Sequence, residues 1–175
     1  MTGTSPAVRH LVVLRHAKAE PGGLVEDHLR TLALEGRRQA AVVGASLREA
    51  GLVPDLVLCS SAVRTRQTWD LVRNALGADV EHVEVSDALY EAGARELLEL
   101  VRGVDPDART VLLVGHEPTV SQAAALLAGP GSDETAQLRV RTGVPTASYS
   151  VLATDVAWSA LEPDGARLLR LVTPG

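Results

Sequence analysis

The sequence predicts an α/β protein: a three-layer α/β/α sandwich with a mostly parallel central sheet and antiparallel strands near the C-terminus. Two observations predict this class. Short apolar runs alternate with helical patterns over most of the chain, as in parallel strands joined by crossover helices. Toward the C-terminus the pattern changes to strands separated by turn residues, which indicates hairpins. The length of 175 residues also allows two small domains, but no linker or repeat divides the chain. We therefore expect one domain over 1–175.

The first half of the chain contains two strand–helix pairs. Residues 10–15 (HLVVLR) form a short apolar run between polar residues, as in a strand buried on both faces. Apolar residues then recur at helical spacing over 34–50, and a glycine follows. Residues 55–60 (DLVLCS) are interpreted as a second buried strand. Ser61 is a suitable N-cap, so the sequence predicts a helix over 61–76 that ends at the next glycine.

The alternation then repeats. Residues 80–85 show a weaker strand pattern, and residues 96–101 lie in a short predicted helix. Residues 110–115 (TVLLVG) give the clearest strand pattern of the chain. Pro118 suits the first position of a helix, which is predicted to continue over 119–128.

The C-terminal part of the sequence predicts hairpins. Residues 129–134 are rich in glycine, proline and polar residues and are interpreted as a loop. Residues 149–153 and 166–172 are candidate strands, and 156–161 is a further candidate. Turn residues separate these runs, so we expect antiparallel neighbours at this end of the sheet.

Composition limits the classes of function. The formal net charge of −5 argues against an overall nucleic-acid binder, so any anion site has to be locally basic. Cys59 is the only cysteine, which excludes an intrachain disulfide and a zinc site built on several thiolates. No run approaches the ~18 apolar residues of a membrane span, and the first ten residues lack the apolar segment of a secretory signal. We therefore expect a soluble, cytoplasmic protein that binds neither nucleic acid nor membrane.

Basic residues and histidines follow three of the predicted strands. Arg15 and His16 follow the first, Arg64 lies in the first turn after the second, and His116 follows the strand over 110–115. Ligands of such sheets bind at the carboxyl ends of the strands. The planar fork of arginine suits phosphate oxygens, and histidine acts as a nucleophile, acid or base near neutral pH. These residues predict a phosphate site with a histidine nucleophile.

The same residues resemble the signatures of the histidine phosphatase superfamily. The stretch LRHA at 14–17 is similar to its RHG motif, although alanine stands where the family more often has glycine. The stretch SSAVRTRQT at 60–68 resembles its S-x-x-x-R-x-x-Q-T segment, and the GH pair at 115–116 resembles its second histidine. The short chain and the stretches RTL, LYE and RTG are most similar to SixA-type phosphohistidine phosphatases; they lie at 30–32, 89–91 and 141–143.

The resemblance, which covers roughly residues 11–151, implies a mechanism. His16 attacks phosphorus and becomes a phosphohistidine, which water then hydrolyses. Arg15 and Arg64 hold the phosphoryl oxygens, and His116 binds the same group and stabilises the transition state. Neither a metal nor another cofactor is implied. We expect the flanking cations to lower the pKa of His16 and keep its imidazole neutral.

Two further polar residues are candidates for the site. Arg30 precedes the first predicted helix, from where its guanidinium could also reach the phosphate, and Glu91 is the only candidate by position for a general acid. SixA-type members often lack a clear acid. An imidazole leaving group, with a pKa of about 6.5, departs readily, whereas an alkoxide needs a proton delivered in the transition state. Lys18 and Asp27 could line the mouth of the same site, but charges of this kind are usually ordinary loop charges, and His28 is expected to take no part in the chemistry.

The function expected from these observations is a protein phosphohistidine phosphatase in signal transduction. A short chain leaves little room for an insertion over the site, which favours a phosphorylated side chain on a partner protein, such as a histidine phosphotransfer domain. One alternative is a small-molecule phosphomonoesterase or mutase of the same superfamily that acts on a small phosphate ester, with Glu91 as the acid. Another is a non-catalytic phosphoprotein-binding module that keeps the anion clamp.

Overall fold

A single six-stranded sheet lies at the centre of the computed structural model, which describes residues 7–174. Its strands are β1 (Arg9–Arg15), β2 (Leu56–Ser60), β3 (His82–Ser86), β4 (Thr110–Gly115), β5 (Tyr149–Thr154) and β6 (Arg167–Val172). They are ordered β3-β2-β4-β1-β5-β6. β5 is antiparallel to β1 and to β6, and the other neighbours are parallel. The predicted mostly parallel sheet with antiparallel strands near the C-terminus is confirmed.

Helices cover both faces of the sheet. They are α1 (Leu34–Glu49), α2 (Val63–Leu76), α3 (Asp87–Glu91), α4 (Ala94–Arg102), α5 (Thr119–Leu127) and α6 (Glu134–Arg141), with 3-10 turns at Asp27–Leu29 and Trp158–Ala160. No helix within residues 7–174 combines the length and the apolar character that crossing a membrane requires.

Alternate residues of the strands face two separate cores, because successive side chains of a strand point to opposite sides. In β1, Val12 and Leu14 pack with residues of α1 and α2, whereas Leu11 and Val13 pack with residues of α4, α5 and α6. α1 and α2 approach each other closely at Gly44, where a Cβ would lie 2.4 Å from the carbonyl oxygen of Val72. These two cores confirm the three-layer sandwich.

The register of the sheet brings three strand ends together. β1, β4 and β2 are neighbours, and Arg15 pairs with Gly115 while Cys59 pairs with Val114. Cys59 is buried, as its place in an apolar run predicts. The residues that follow these three strands therefore meet at one edge of the sheet.

Two predictions about local structure were wrong. Ser61 does not cap α2, which begins at Val63 after Ala62; its hydroxyl instead donates to the carboxylate of Asp87. The candidate strand over 156–161 is absent, because this segment forms a 3-10 turn that buries Trp158. The indole Nε1 of Trp158 donates to the carbonyl oxygen of Ala108 at 2.7 Å, which fixes the ring inside the core.

Two helices were missed by the sequence interpretation. α3 begins where the hydroxyl of Ser86 accepts a hydrogen bond from the amide of Ala88. α6 begins at the end of the stretch that was interpreted as a loop, where the carboxylate of Asp133 accepts from the amide of Ala136. Serine and aspartate are preferred N-cap residues, so both signals were present in the sequence.

Candidate active site

The two histidines of the predicted site are neighbours, and with Arg15 and Arg64 they form the group of side chains that we call the pocket. The ring centroids of His16 and His116 lie 5.3 Å apart, and the two planes are inclined by 56°. Nη2 of Arg64 is 3.2 Å from Nδ1 of His116, and the charge of Arg15 acts on both imidazoles. Side chains that are far apart in the sequence are thus brought together at the carboxyl edge of the sheet.

The backbone of His16 continues the sheet just beyond β1. Its amide donates to the carbonyl oxygen of Gly115, and its carbonyl oxygen accepts from the amide of Ala147. Nδ1 of the ring lies 2.7 Å from the carbonyl oxygen of Ala17. A carbonyl oxygen can only accept, so Nδ1 carries the proton and Nε2 keeps its lone pair. His16 is therefore held in the tautomer that presents Nε2 as a nucleophile.

Thr68 connects the residue after His16 to the helix that carries Arg64. Its hydroxyl accepts from the amide of Ala17 at 3.0 Å and donates to the carbonyl oxygen of Arg64 at 2.7 Å. Ala17 and Thr68 are both fully buried. The methyl group of Ala17 packs in the core under α1 and α2, so this departure from the glycine of the family motif is accommodated.

His116 is fixed from both sides of its ring. A guanidinium can only donate, so the contact with Nη2 of Arg64 makes Nδ1 of His116 the acceptor. The proton is then on Nε2, which donates to the hydroxyl of Ser60 at 2.7 Å. Ser60 ends β2, so a strand end orients this imidazole, a role that the sequence interpretation did not give it.

Each arginine of the pocket is partly satisfied by the protein. Nη1 of Arg15 donates to the carbonyl oxygen of Val144 at 2.8 Å, and Nη1 of Arg64 donates to that of Asp27 at 2.7 Å. Nε of Arg15 and Nε of Arg64 are buried and have no hydrogen-bond partner within residues 7–174. A buried donor without a partner costs about 1–3 kcal/mol.

Asp27, which the sequence placed at a possible mouth of the site, contacts the residues of the pocket. Its carboxylate accepts from Nη2 of Arg64 at 2.9 Å, from Nη1 of Arg30 at 3.0 Å and from the hydroxyl of Tyr90 at 2.6 Å. The Tyr90 hydroxyl and the two guanidinium groups hold the pKa of Asp27 well below its usual range. Of the two interpretations that the sequence left open, these contacts favour the residue at the mouth of the site over the ordinary loop charge. The spacing D-x-x-R at 27–30 was the signal for the pair that it forms with Arg30.

Both imidazoles of the pocket are neutral at pH 7. Burial, with the charges of Arg64 and Arg15, lowers the pKa of His16 to about 4. Burial and then Arg64 lower the pKa of His116 to about 3. The predicted direction for His16 is confirmed, but burial contributes more than the cations do. Arg30, which reaches the pocket through Asp27, adds a smaller effect on the pKa of His16.

Glu91 lies outside this group of contacts. It is exposed and lines a surface groove of about 450 Å³ together with Ala88, Ala92 and Leu100. Within residues 7–174, no hydrogen bond or ion pair joins Glu91 to the two histidines or to Arg64. Its role as a general acid stays a prediction.

His28 lies nearer to the pocket than expected. Its Nε2 donates to the hydroxyl of Ser61 at 3.0 Å, and its ring meets the ring of Tyr90 edge-on at 5.0 Å. Tyr90 in turn meets His116 edge-on at 5.4 Å. By contrast, Lys18 is paired with an exposed glutamate of α1, as an ordinary loop charge is. In the part of the chain that the structure describes, no group of three or more His, Cys, Asp or Glu side chains is placed to hold a metal ion.

Comparison with known proteins identifies the family. The model of the histidine phosphatase superfamily (branch 1) matches residues 11–102. The uncharacterized protein Rv1276c of Mycobacterium tuberculosis is 37% identical over 163 residues, which cover 92% of this chain and 99% of that protein.

Solved structures agree with this family. A proposed phosphohistidine phosphatase SixA from Nakamurella multipartitia superposes with a TM-score of 0.82 at 36% identity, over 96% of this chain and 97% of that one. The corresponding protein from Agrobacterium tumefaciens gives a TM-score of 0.79 at 26% identity, over 95% and 98% of the two chains. With these matches and the shared pocket of His16 and His116, the chain belongs to the histidine phosphatase superfamily, in its SixA-type branch, and is a phosphatase.

Proposed function

We propose that this phosphatase removes the phosphoryl group from a phosphohistidine side chain of a partner protein, through a covalent phosphohistidine at its own His16. The pairing of His16 and His116 at 5.3 Å is the observation that carries the proposal, because the free Nε2 of His16 then lies beside a second neutral imidazole and two guanidinium groups. A phosphoryl group bound there meets a nucleophile and several donors at once.

The first half of the reaction forms a bond between Nε2 of His16 and phosphorus and breaks the N–P bond of the substrate. Arg15 and Arg64 hold the phosphoryl oxygens, and the one side-chain hydrogen bond of Arg15 within residues 7–174 uses Nη1, which leaves Nη2 for the phosphoryl group. Phosphoryl transfer depends mainly on positioning and on stabilising the charge of the equatorial oxygens. Two fixed cations therefore supply much of what the reaction needs.

The second half of the reaction is hydrolysis. Water attacks phosphorus, the bond to Nε2 breaks, and inorganic phosphate leaves. The phosphorylated ring of His16 keeps its proton on Nδ1, where the carbonyl oxygen of Ala17 accepts it, so it departs as a neutral imidazole. His116 lies beside the same phosphoryl group, and its Nε2–H has to turn from the hydroxyl of Ser60 to a phosphoryl oxygen in order to stabilise the two transition states. The hydrogen bond from Nδ1 to the carbonyl oxygen of Ala17 thus supports both the attack of His16 on phosphorus and its departure from phosphorus.

The choice of substrate rests on its leaving group. When the second ring nitrogen of a substrate phosphohistidine carries a proton, the ring leaves as neutral imidazole and needs no proton from an enzyme acid. An alkoxide leaving from a phosphate ester does need one. Glu91, the sole candidate for that acid by position, lines a neighbouring groove. The similarity to the Nakamurella and Agrobacterium proteins supports the same substrate class.

The depth of the site suits a side chain presented by another protein. The side chain of Asp27 is 52% exposed although it binds Arg64, whose side chain is only 7% exposed. Arg64 therefore lies beneath an exposed side chain. A histidine phosphotransfer domain is the partner that we propose, with a role in signal transduction in the cytoplasm.

Three substrates test the proposal: a phosphorylated histidine phosphotransfer domain, p-nitrophenyl phosphate and glycerol phosphate. We expect the highest kcat/KM for the phosphoprotein, and loss of turnover of all three in His16→Ala. The wild-type enzyme is mixed with phosphoprotein that carries a labelled phosphoryl group, and the reaction is quenched rapidly without acid. We expect labelled phosphoryl group on the wild-type enzyme and none on His16→Ala. A higher kcat/KM for glycerol phosphate than for the phosphoprotein would instead support the phosphomonoesterase.

Glu91→Gln separates the two substrate classes further. We expect this variant to cleave the phosphoprotein at nearly the wild-type rate, with Glu81→Gln, an exposed glutamate before β3, as the matched control. Equal large losses for phosphoprotein and ester would contradict the proposed leaving-group argument.

A further inference from the structure

We propose that Glu117 is a positioning residue that places the guanidinium of Arg15 in the phosphate pocket; this inference rests on the proposed role of Arg15 as a phosphate ligand. Glu117 follows His116 directly and is half-buried. Its Oε1 accepts from the amide of Ser121 at 2.8 Å, and its Oε2 accepts from the hydroxyl of Ser121 at 2.8 Å and from the amide of Val144 at 3.1 Å. The carboxylate thus joins the first turn of α5 to a distant segment of the chain.

The contact with Val144 leads directly to Arg15. The amide of Val144 donates to Glu117, and the carbonyl oxygen of Val144 accepts from Nη1 of Arg15 at 2.8 Å. Val144 is buried, so it has little freedom to move while both bonds are made. Glu117 therefore fixes the amide of Val144, and the carbonyl oxygen of the same residue fixes the guanidinium of Arg15.

The segment 143–148 also holds the backbone on both sides of the bond between Arg15 and His16. The amide of Arg15 donates to the carbonyl oxygen of Ser148, and the carbonyl oxygen of His16 accepts from the amide of Ala147. Backbone hydrogen bonds fix its second part, which includes a turn closed by the amide of Ser148 on the carbonyl oxygen of Pro145. Glu117 is the side chain that fixes its first part.

The beginning of the segment is shaped around the carboxylate. Gly143 has a φ of +92°, a conformation that favours glycine, and a Cβ added there would lie 3.3 Å from Oε2 of Glu117. The backbone therefore passes closely enough for the amide of the next residue, Val144, to reach the carboxylate. Burial lowers the pKa of Arg15, and the charge of Glu117 opposes this lowering.

A double-mutant cycle on the full-length chain tests the link, with vanadate as the probe of the phosphate pocket. Glu117→Ala removes the anchor of Val144, so we expect vanadate to bind about tenfold more weakly and kcat to fall by a similar factor, as hydrogen bonds to charged groups predict. Arg15→Ala should weaken vanadate binding more. In the Arg15→Ala background, Glu117→Ala should change vanadate affinity by less than about twofold, because residues acting through one another are not additive.

Two further variants sharpen the cycle. Glu117→Gln keeps an oxygen that can accept from Val144, so we expect it to restore vanadate affinity to within about threefold of the wild type. Glu134→Ala removes an exposed carboxylate at the start of α6 and serves as the matched control, with unchanged vanadate affinity and kcat. If Glu117→Ala does not fold, the same cycle is run with Glu117→Gln, whose smaller loss should also vanish in the Arg15→Ala background.

The outcomes separate this inference from the proposed function. Additive losses of vanadate affinity in the cycle, or wild-type vanadate affinity in folded Glu117→Ala, would overturn the positioning role alone. Wild-type vanadate affinity in Arg15→Ala would overturn the role of Arg15 as a phosphate ligand, and the inference about Glu117 with it. A loss that is the same for Glu117→Ala and Glu117→Gln would also overturn the role, because the retained oxygen would then have no effect.

Discussion

The guanidinium of Arg64 is held by Asp27 through two of its nitrogen atoms: Nη1 donates to the carbonyl oxygen at 2.7 Å and Nη2 to the carboxylate at 2.9 Å. Asp27 lies on an exposed turn, whereas Arg64 is buried at the start of α2. The turn therefore contributes directly to the geometry of the pocket, and one Nη1–H of Arg64 is left for a ligand.

Replacing Asp27 by alanine tests this hold. We expect Asp27→Ala to lower kcat/KM for p-nitrophenyl phosphate by about 10- to 100-fold, because hydrogen bonds to charged groups contribute about 1.5–3 kcal/mol. The substitution also removes a negative charge beside the phosphate, which by itself would raise kcat/KM. Solvent screens that charge because the carboxylate is half exposed, so the loss of orientation should dominate.

Tyr90→Phe is the control for Asp27. It removes one donor to the carboxylate but leaves both bonds between Asp27 and Arg64, so steady-state kinetics should show a smaller loss. Wild-type kcat/KM in Asp27→Ala would mean that Arg64 is oriented without this residue.

Thr68→Val examines the support beneath the nucleophile. The substitution keeps the size of the side chain but leaves the buried amide of Ala17 without its acceptor. We expect the free energy of unfolding in urea to fall by about 1–3 kcal/mol. We also expect kcat to fall, since the carbonyl oxygen of Ala17 fixes the tautomer of His16. Thr68→Ser restores the hydroxyl and should recover most of both losses; a serine variant as impaired as valine would contradict this role.

The sequence allowed the strand ends to be predicted because apolar runs and their polar boundaries depend on local chemistry. Arg15 ends β1, and His16 and His116 come directly after β1 and β4, two strands whose burial the sequence already implies. These residues could be expected to meet because neighbouring parallel strands have their carboxyl ends at the same edge of the sheet. Arg64 was predicted for the same reason, one turn into α2.

The contacts around the phosphate pocket could not be predicted in this way. Asp27 meets Arg64 across 37 residues, and Glu117 meets Val144 across 27. Both contacts depend on the course of irregular segments that no periodicity describes. The 3-10 turn at Trp158 was predicted as a strand for a related reason. Its alternating pattern of small and apolar residues does not show that one large ring will enter the core.

NMR titration of the His16 ring tests the electrostatics of the pocket. We expect a pKa of about 4 in the wild type, mainly from burial. Arg64→Gln should raise this pKa by removing one neighbouring cation, yet leave it below the ordinary value of about 6.5 because the ring stays buried. A wild-type pKa above 6.5 would contradict the neutral nucleophile, and a return to 6.5 in Arg64→Gln would show that the cation, not burial, sets the shift.

The same histidines predict how stability depends on pH. Between pH 6.5 and about pH 4 the unfolded chain binds protons at His16 and His116 that the folded chain does not, so the free energy of unfolding should fall as the pH is lowered through this window. For His16 the lowered pKa corresponds to a loss of about 3 kcal/mol. Asp27 does not interfere, because its lowered pKa removes stability only below its ordinary value of about 3.9.

Urea unfolding at several pH values from 7 to 4.5 measures how steeply the free energy of unfolding changes with pH; this is the slope compared among the variants. His10, whose pKa is also lowered by burial, contributes in the same direction, so the comparison is made in a His10→Gln background. Adding His16→Gln should flatten the slope, and adding His116→Gln should flatten it further, since each removes one group that must stay neutral on folding. Stability that is unchanged or greater at pH 4.5 than at pH 6.5 would show that these rings accept protons in the folded protein, and a charged His16 has no lone pair with which to attack phosphorus.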